Sequence, residues 1–550
     1  GKITDEQGEA LPGVAIIAKS PSLQGQRTAL SDRNGNFRLL LLPVGEYSLS
    51  FELAGFEKLD IAGQDVRLGF TVSLAPVLKS STVSEEVTVV APAPLIDKTR
   101  ADNSYRLSSD ELARVPTQAR TIAEIVAFTP GVTGVRVNTV SGGADSGLGT
   151  ASGMPSFRGE GDAANNWLVD GLTTKSVVYN NSGVRINFDS WEEVQIVSDG
   201  FAPEMGQGMG GFINVVTKSG GNAFHGELGS LIRGSGLRAQ RQEQLSAATL
   251  PETSLGQYYG NLGGPIIKDK LWFFVSDNYF NNSDKTKNQT IDWLTIPAGK
   301  RQIGTNNIFS KLTFTPQKNH TVSLGATLDT FLNQIGGIGV PETYSETKYA
   351  DYSYRLNYRG ILSEDTLLTA AIGQNRQKAL ASLLSGNYGP PAYLWQDIAQ
   401  ITNNANAIEA NTEWRTDLTV DAIRYLDLGS WGNHEIKAGI SYYANKYHQS
   451  WIWAGADADP WPGNSFDNGL TITWAEPGLP LLLEEYGPNE IRDSTRGFGL
   501  YLEDNVTLGP VSMMLGLRTD TQRIFNDAGV NVWNWGTGDF LQPRAMLAVD

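Results

Sequence analysis

From Phe224 onward the chain repeats one pattern, segments of roughly ten residues in which apolar and polar side chains alternate, about a dozen times over. Phe224, Leu228 and Ile232 alternate with His225, Glu227 and Arg233. Val322, Leu324, Ala326 and Leu328 repeat the pattern, as do Tyr352, Tyr354, Leu356 and Tyr358, and Val511, Met513, Leu515 and Leu517. A period of two belongs to extended strands whose faces meet different surroundings. About ten residues rising roughly 3.4 Å each and tilted near 45° cover about 24 Å, the height of the apolar band of an outer membrane.

The connections separate a barrel from a soluble sandwich. Long ones run over 235–256, 281–305, 330–350, 376–411, 445–496 and 521–539. Between them lie the shorter Pro265–Asp269, Gln317–Lys318, Ser363–Asp365, Ala422–Asn433 and Thr507–Pro510. A sandwich has no reason to alternate long with short, whereas an outer-membrane barrel keeps its periplasmic turns tight and lets its external loops grow. No apolar run approaches the roughly 18 residues of a spanning helix, so any membrane crossing rests on strands.

Ahead of the barrel the pattern changes twice. Residues 1–78 read as a small all-β sandwich with strands at Val14–Ala18, Phe37–Leu41, Tyr47–Leu53 and Phe70–Leu74. The phrases Ala10-Leu11-Pro12-Gly13-Val14, Ser31-Asp32-Arg33-Asn34-Gly35-Asn36-Phe37 and Leu42-Pro43-Val44-Gly45-Glu46-Tyr47 resemble the carboxypeptidase regulatory-like domain. That resemblance implies a non-catalytic module. Gly1 already lies in a strand-like pattern, with neither a basic nor an apolar leader segment before it, so any signal peptide is expected to have been removed or left out.

Residues 101–223 are mixed. Ser108 to Glu111 forms a capping box ahead of Leu112, and Thr121–Phe128 places Ile122, Ile125 and Val126 on one helical face. Strands are expected at Glu192–Val197 and Gly211–Thr217. The ordered phrases Thr129-Pro130-Gly131-Val132, Phe157-Arg158-Gly159, Asn166-Trp167-Leu168-Val169-Asp170-Gly171, Glu192-Glu193-Val194-Gln195-Ile196 and Gly210-Gly211-Phe212-Ile213-Asn214-Val215-Val216-Thr217-Lys218-Ser219-Gly220 resemble the plug domain of TonB-dependent receptors. The extension Gly220-Gly221-Asn222-Ala223-Phe224-His225-Gly226 is similar to the Oar-like branch.

Residues 79–100 read as linker around one β-prone hexamer, Glu85-Glu86-Val87-Thr88-Val89-Val90. This hexamer resembles the TonB box, the strand offered to a TonB-like energy-coupling protein, although an ordinary linker strand has the same composition. By the same resemblance Arg158 locks plug to barrel by pairing with barrel carboxylates; its alternative is a solvent-facing plug arginine.

The expected fold is therefore all-β with a small α+β plug: a β-sandwich (1–78), a linker (79–100), a plug (101–223) and the N-terminal half of a transmembrane antiparallel β-barrel (224–550). Twelve strands would close at roughly 24 Å and leave about 14 Å inside. A plug of about 120 to 130 residues is roughly 36 Å across and would not fit. About twenty-two strands would accept it, and the resemblance implies that number, so about ten strands are expected beyond Asp550.

No chemistry is legible. Gly206-Gln207-Gly208-Met209-Gly210-Gly211 matches GxGxxG formally, but a dinucleotide site needs a helix after it and here a strand follows. The four His, at 225, 320, 434 and 448, lack metal-ligand spacing, and the chain contains no Cys. With 43 basic and 59 acidic residues the net charge is −16, and without a basic patch no nucleic-acid partner is expected. No cofactor or enzymatic activity is expected. The 445–496 loop carries Asp457, Asp459, Asp467, Glu484 and Glu485; solvated charge accounts for them, with Asp457 and Asp459 a weak calcium candidate. Trp293, Trp395, Trp451, Trp453, Trp461, Trp474, Trp533 and Trp535 fall in predicted external loops. They serve either loop packing and an interfacial belt or stacking on a glycan or other flat ligand.

The resemblance implies a Gram-negative outer-membrane receptor with its N-terminal domain and plug on the periplasmic side. It would bind a siderophore, vitamin, glycan, peptide or protein and draw energy from the inner membrane. A surface scaffold or adhesin on the same plugged barrel is the alternative.

Overall fold

The computed structural model describes residues 1–550 apart from 24, 81–85, 91–102, 116–119, 121, 134–154, 161–163, 178–182, 238–251, 286–287, 292, 336–340, 386, 388–391, 396–399, 403–406, 454–468, 477–478, 487–488 and 550. The N-terminal part folds as a five-stranded sheet in the order Gln26–Leu30, Ala15–Lys19, Gly45–Glu52, Lys58–Val66, Glu86–Val90. A two-stranded parallel pair, Thr4–Asp5 with Val77–Leu78, accompanies it. Ile3, Val14, Ile16, Ala18, Tyr47 and Phe51 form the core.

Two expected strands are not strands. Phe37 and Leu39 pack on this core, but Leu41 has φ 54°, a left-handed conformation that ends extended backbone. Leu74 likewise packs on the core and its carbonyl accepts from Lys2 N at 3.0 Å, outside any ladder. Apolar alternation there reports packing alone. Within the five-stranded sheet the two strands missed are Gln26–Leu30, a polar edge, and Lys58–Val66, whose pattern is interrupted at Gly63 (φ 74°), beside an irregularity in its register with Gly45–Glu52.

The plug is built on a five-stranded sheet, in the order Leu172–Thr173, Asn166–Val169, Phe212–Thr217, Trp191–Asp199, Asn103–Ser108. Ser108 caps the helix Ser109–Arg114 with the reciprocal Glu111 contact that the sequence predicts, and a second short helix covers Ile122–Val126. Asp170 (φ 48°) and Gly171 (φ 83°) make the two-residue turn between Asn166–Val169 and Leu172–Thr173; positive φ at both positions is why Asp-Gly stands there. The plug core of Ile125, Val126, Phe157, Trp167, Val194, Ile196 and Ile213 is continuous with Phe274 and Phe309 of the barrel wall.

That wall is one antiparallel sheet of neighbouring strands: His225–Gly234, Glu252–Ile267, Leu271–Lys285, Lys300–Gln317, His320–Ile335, Ser345–Ser363, Thr366–Leu383, Ala407–Asp427, Asn433–Trp453, Asn489–Leu508, Val511–Phe525 and Leu541–Val549. Its surface is inverted. Along Ser345–Ser363, Tyr352, Tyr354 and Leu356 are 37%, 52% and 45% exposed while Asp351, Ser353 and Arg355 between them are 4%, 0% and 1% exposed. The register aligns Leu312, Leu324, Leu356, Ile372, Leu418, Tyr442 and Phe498 into an apolar row across seven strands. Such a row on the outer face, with polar groups inside, is the surface of a protein whose solvent is lipid.

Most strands run 15 to 21 residues, well past the roughly ten that a membrane requires. The ladder continues above the lipid because edge hydrogen bonds still need partners there, while the apolar alternation lapses. Trp451 and Trp453 therefore lie in the strand Asn433–Trp453 and not in a loop. Above the wall, two long connections combine into an external sheet in the order Gln400–Thr402, Ala392–Trp395, Gly469–Glu476, Leu479–Tyr486.

Candidate functional site at the plug and barrel interface

The alternation that turns apolar side chains to lipid turns polar ones inward, and these are the groups that hold the plug. Arg185, in the segment leading to the short helical turn at Phe188–Ser190, places Nε 2.5 Å from Asp329 Oδ2. Ser176 Oγ and Val177 N donate to Glu413 Oε2 at 2.9 and 2.6 Å. Asn187 and Asn307 face each other: Asn187 N donates to Asn307 Oδ1 at 3.1 Å, and Asn187 Nδ2 to the Asn307 carbonyl at 3.0 Å. Asn375 Nδ2 donates to the Thr173 carbonyl at 3.0 Å.

Further round the wall the polarity reverses. Arg518 Nη1 donates to the Pro203 carbonyl at 3.1 Å, and Arg544 Nη1 donates to the Ala202 and Met205 carbonyls at 2.5 and 2.9 Å. Arg415 Nη2 reaches Gln207 Oε1 at 2.5 Å, and Lys437 pairs with Glu204. The plug segment 202–207 thus offers mainly backbone oxygens to barrel cations. Gly206 belongs to this approach, since a Cβ there would lie 2.4 Å from Arg518 Nη2; within the plug, one on Gly211 would lie 2.6 Å from Phe157 Cδ2. The formal GxGxxG is a packing device followed by the strand Phe212–Thr217, as its context predicts.

Inside the plug Asp170 accepts from Thr217 N at 2.9 Å and lies 3.5 Å from Lys311 Nζ of the barrel. Burial alone would raise this carboxyl, but the Lys311 ammonium and the Thr217 donors outweigh it and hold it below the ordinary aspartate value. These inward residues are visible in the sequence only as the polar half of a period-two pattern. No local signal names their partners.

Arg158 has a different position from the one its motif implied. Its Nη1 lies 2.7 Å from Asp199 Oδ2, a plug residue, and both side chains are 52% exposed. The plug arginine that meets a buried barrel carboxylate is Arg185.

Glu86–Val90 is not left in a linker. It pairs in parallel with Lys58–Val66, in the register Lys58↔Glu86 through Ala62↔Val90; Glu85 lies outside the described residues. Lys58–Val66 leads directly into a contact with the plug. There Leu68 N donates to Glu193 Oε1 at 3.0 Å, Arg106 Nε donates to the Leu68 carbonyl at 2.8 Å, and Arg67 Nη2 lies 3.4 Å from Glu111 Oε1. Burial pushes the Glu193 carboxyl up to about 7 despite these donors. Arg38 of the same domain stacks 4.0 Å above the Tyr425 ring at the end of a barrel strand.

Of the loop tryptophans, Trp293 meets Trp395 edge-on at 4.7 Å, and Trp395 Nε1 donates to Thr402 Oγ1 at 2.7 Å. Trp474 is the backbone partner of Trp395 across the external sheet. Trp533 and Trp535 lie 5.4 Å apart on the strand Asn531–Trp535, and Trp535 packs on Phe540 at 4.6 Å. Trp461, Asp457 and Asp459 lie outside the described residues.

A plug sheet bonded inside an inverted antiparallel wall defines a plugged β-barrel of the Gram-negative outer membrane. The family model for the TonB-dependent receptor plug domain matches residues 98–212, that for an outer membrane beta barrel domain matches 216–337, and that for the carboxypeptidase regulatory-like domain matches 1–79. The chain carries a plug of the TonB-dependent receptor type ahead of an outer-membrane barrel domain. It is 30% identical over 286 residues to the TonB-dependent transporter Oar of Myxococcus xanthus, an alignment covering 50% of this chain and 26% of that protein. The chain thus spans about a quarter of this curated relative. In fold it is similar to the outer membrane transporter YddB from Escherichia coli (TM-score 0.61, 14% identity, 81% of this chain and 58% of that one). It is also similar to the alcaligin outer membrane receptor FauA from Bordetella pertussis (TM-score 0.55, 12% identity, 84% and 61%).

Proposed function

We propose that the chain is part of a receptor that binds a ligand on its external loops and plug and moves it across the outer membrane with energy from an inner-membrane TonB-like partner. The observation that carries this reading is how the plug is held. Outside the Phe274 and Phe309 contact, its seam with the wall is largely hydrogen bonds and ion pairs. Such contacts can be exchanged for water one at a time, whereas an apolar seam would have to be exposed whole. Glu86–Val90, upstream of the plug, is the segment through which the partner would pull. Arg185, Ser176 and the carbonyls of 202–205 are the contacts that motion would release.

The test uses the full-length protein in cells, with the bound ligand first identified by mass spectrometry of purified material. Deleting residues 85–90 is expected to abolish energised uptake and to leave ligand binding intact. Uptake that survives the deletion removes this segment from the mechanism.

A further inference from the structure

The chain as a whole is acidic, with 43 basic against 59 acidic residues, and no stretch of its sequence is a basic patch. The strand register gathers one all the same, on the outer face of the wall just above its apolar side chains. We propose that this band binds a lipid of the outer leaflet whose headgroup carries phosphate groups. Arg496 and Arg523 form its centre, and the acyl chains lie down the apolar face below.

The band follows the membrane boundary. Lys348, Arg376, Lys446, Arg496 and Arg523 are exposed and point outward from five different strands. Each is the first outward charge above the apolar Tyr352, Ile372, Tyr442, Phe498 or Leu517 of its own strand. On the intervening strand Ala407–Asp427 the corresponding position is Trp414, and Arg376 stacks over its ring at 5.6 Å.

These positions do not share one register row. Strands about 4.8 Å apart and tilted near 40° displace a level line by roughly 3 Å at each step. Over the five steps from Ser345–Ser363 to Val511–Phe525 the displacement is about 15 Å, or roughly six residues. The row of Lys348 arrives at Glu490, six residues before Arg496, and Arg496 is paired with Arg523. The cations therefore keep one height around the wall, as a lipid surface requires and a hydrogen-bond row does not.

Two relationships point to an anion. Arg496 and Arg523 stand directly opposite each other on neighbouring strands, an arrangement that repels unless a negative charge lies between them. Arg496 lies over the Phe525 ring at 5.5 Å and Arg523 Nε donates to Asn534 Oδ1 at 3.2 Å, which leaves the terminal nitrogens of both guanidiniums to donate. Among the described residues, Arg376, Lys378, Lys446, Arg496 and Arg523 meet no carboxylate within ion-pair distance. The outward carboxylates at this level are already taken, Glu346 by Lys348 and Glu490 by Arg492 and His448.

Paired guanidiniums suit phosphate, whose oxygens accept two parallel hydrogen bonds from each fork. The occupant is a lipid because Phe498, Leu500 and Leu502 continue directly below Arg496 on the same face, 38%, 39% and 56% exposed. A soluble anion would leave that contact unused.

The test uses the full-length receptor in detergent, with lipid retention read by native mass spectrometry. Diphosphoryl lipid A is the probe, dephosphorylated lipid A and phosphatidylcholine are the controls, and inorganic phosphate is the soluble arm. The phosphorylated lipid should be retained at least tenfold better than either control. Each cation near an anionic lipid surface is worth about fivefold, so R496Q/R523Q should lower retention about tenfold or more. R496K/R523K should keep most of it, and K268Q/K270Q, at a periplasmic turn, should change nothing. Equal retention of the dephosphorylated lipid overturns the proposal, leaving an apolar annulus alone. Unchanged retention by R496Q/R523Q overturns the assigned centre, and inorganic phosphate binding as tightly as the lipid overturns the choice of occupant. Raising the salt concentration should weaken lipid binding to the unmodified receptor. Salt-insensitive binding overturns the proposal even where the double variant fails to fold.

Discussion

Arg185 Nε of the plug lies 2.5 Å from Asp329 Oδ2 on the inner face of the barrel, and both side chains are largely shielded from water. Removing one partner of such a pair strands the other as an uncompensated charge, at a cost of about 3 to 5 kcal/mol. Asp329→Ala and Arg185→Ala are each expected to loosen the plug, while replacing both with apolar residues of similar size should recover much of the loss. The measurement is single-channel conductance in planar bilayers. Silent membranes for both single variants would remove the pair from plug retention.

Gly206 marks a close approach of plug to barrel. A valine there would drive its Cβ into Arg518, whose guanidinium is already committed to Asp520, Ser441 and the Pro203 carbonyl and so has little room to retreat. Gly206→Val should cost about 1 to 3 kcal/mol of plug docking, read as a lower midpoint in denaturant. Gly236, with open space around its Cβ position, is the control and should tolerate alanine.

Leu324 stands in the apolar row between Leu312 and Leu356. Leu324→Arg places a charge in lipid and should lower folding into vesicles by about 2 to 4 kcal/mol if the row lies near the bilayer midplane. Thr327→Arg, on the inner face, would collide with the plug. The two variants separate by their rescue: deleting the plug should relieve only the second.

Docking of the N-terminal domain should depend on pH through Glu193. Its carboxyl is pushed up to about 7 when docked, mainly by burial, with Leu68, Arg106 and Arg67 opposing and Asp65 reinforcing the shift; solvated, it would return toward 4.5. The docked state therefore holds more protons between these values. Docking is strongest below about pH 4.5, weakens by up to about 1.4 kcal/mol per unit as pH rises, and has lost this contribution above about 7. Glu193→Gln keeps an acceptor for Leu68 N and should flatten the profile. Hydrogen exchange at Leu68 across this range is the measurement, and identical slopes in both proteins would refute the assignment.

How much of this was legible in the sequence depends on the range of the interaction that causes it. The barrel was readable because lipid on one side and a polar interior on the other impose a period of two on each strand separately, as Tyr352, Tyr354 and Leu356 against Asp351, Ser353 and Arg355 show. The helix cap at Ser108 was readable because its cause lies within four residues. Strand lengths were underestimated, since backbone pairing continues after the lipid that shapes the pattern has ended.

Tertiary structure alone decided who meets whom. The sequence marks Asp329, Glu413, Arg415 and Arg518 as inward-facing, but their plug partners lie more than 140 residues away, and only the packing of the wall against the plug selects them. It likewise chose Arg185 over Arg158 as the plug arginine that meets a barrel carboxylate, and it placed Glu86–Val90 on Lys58–Val66. Local patterns are set by the solvent each face meets, whereas long-range pairs are set by the packing of whole domains, which no short stretch of sequence encodes.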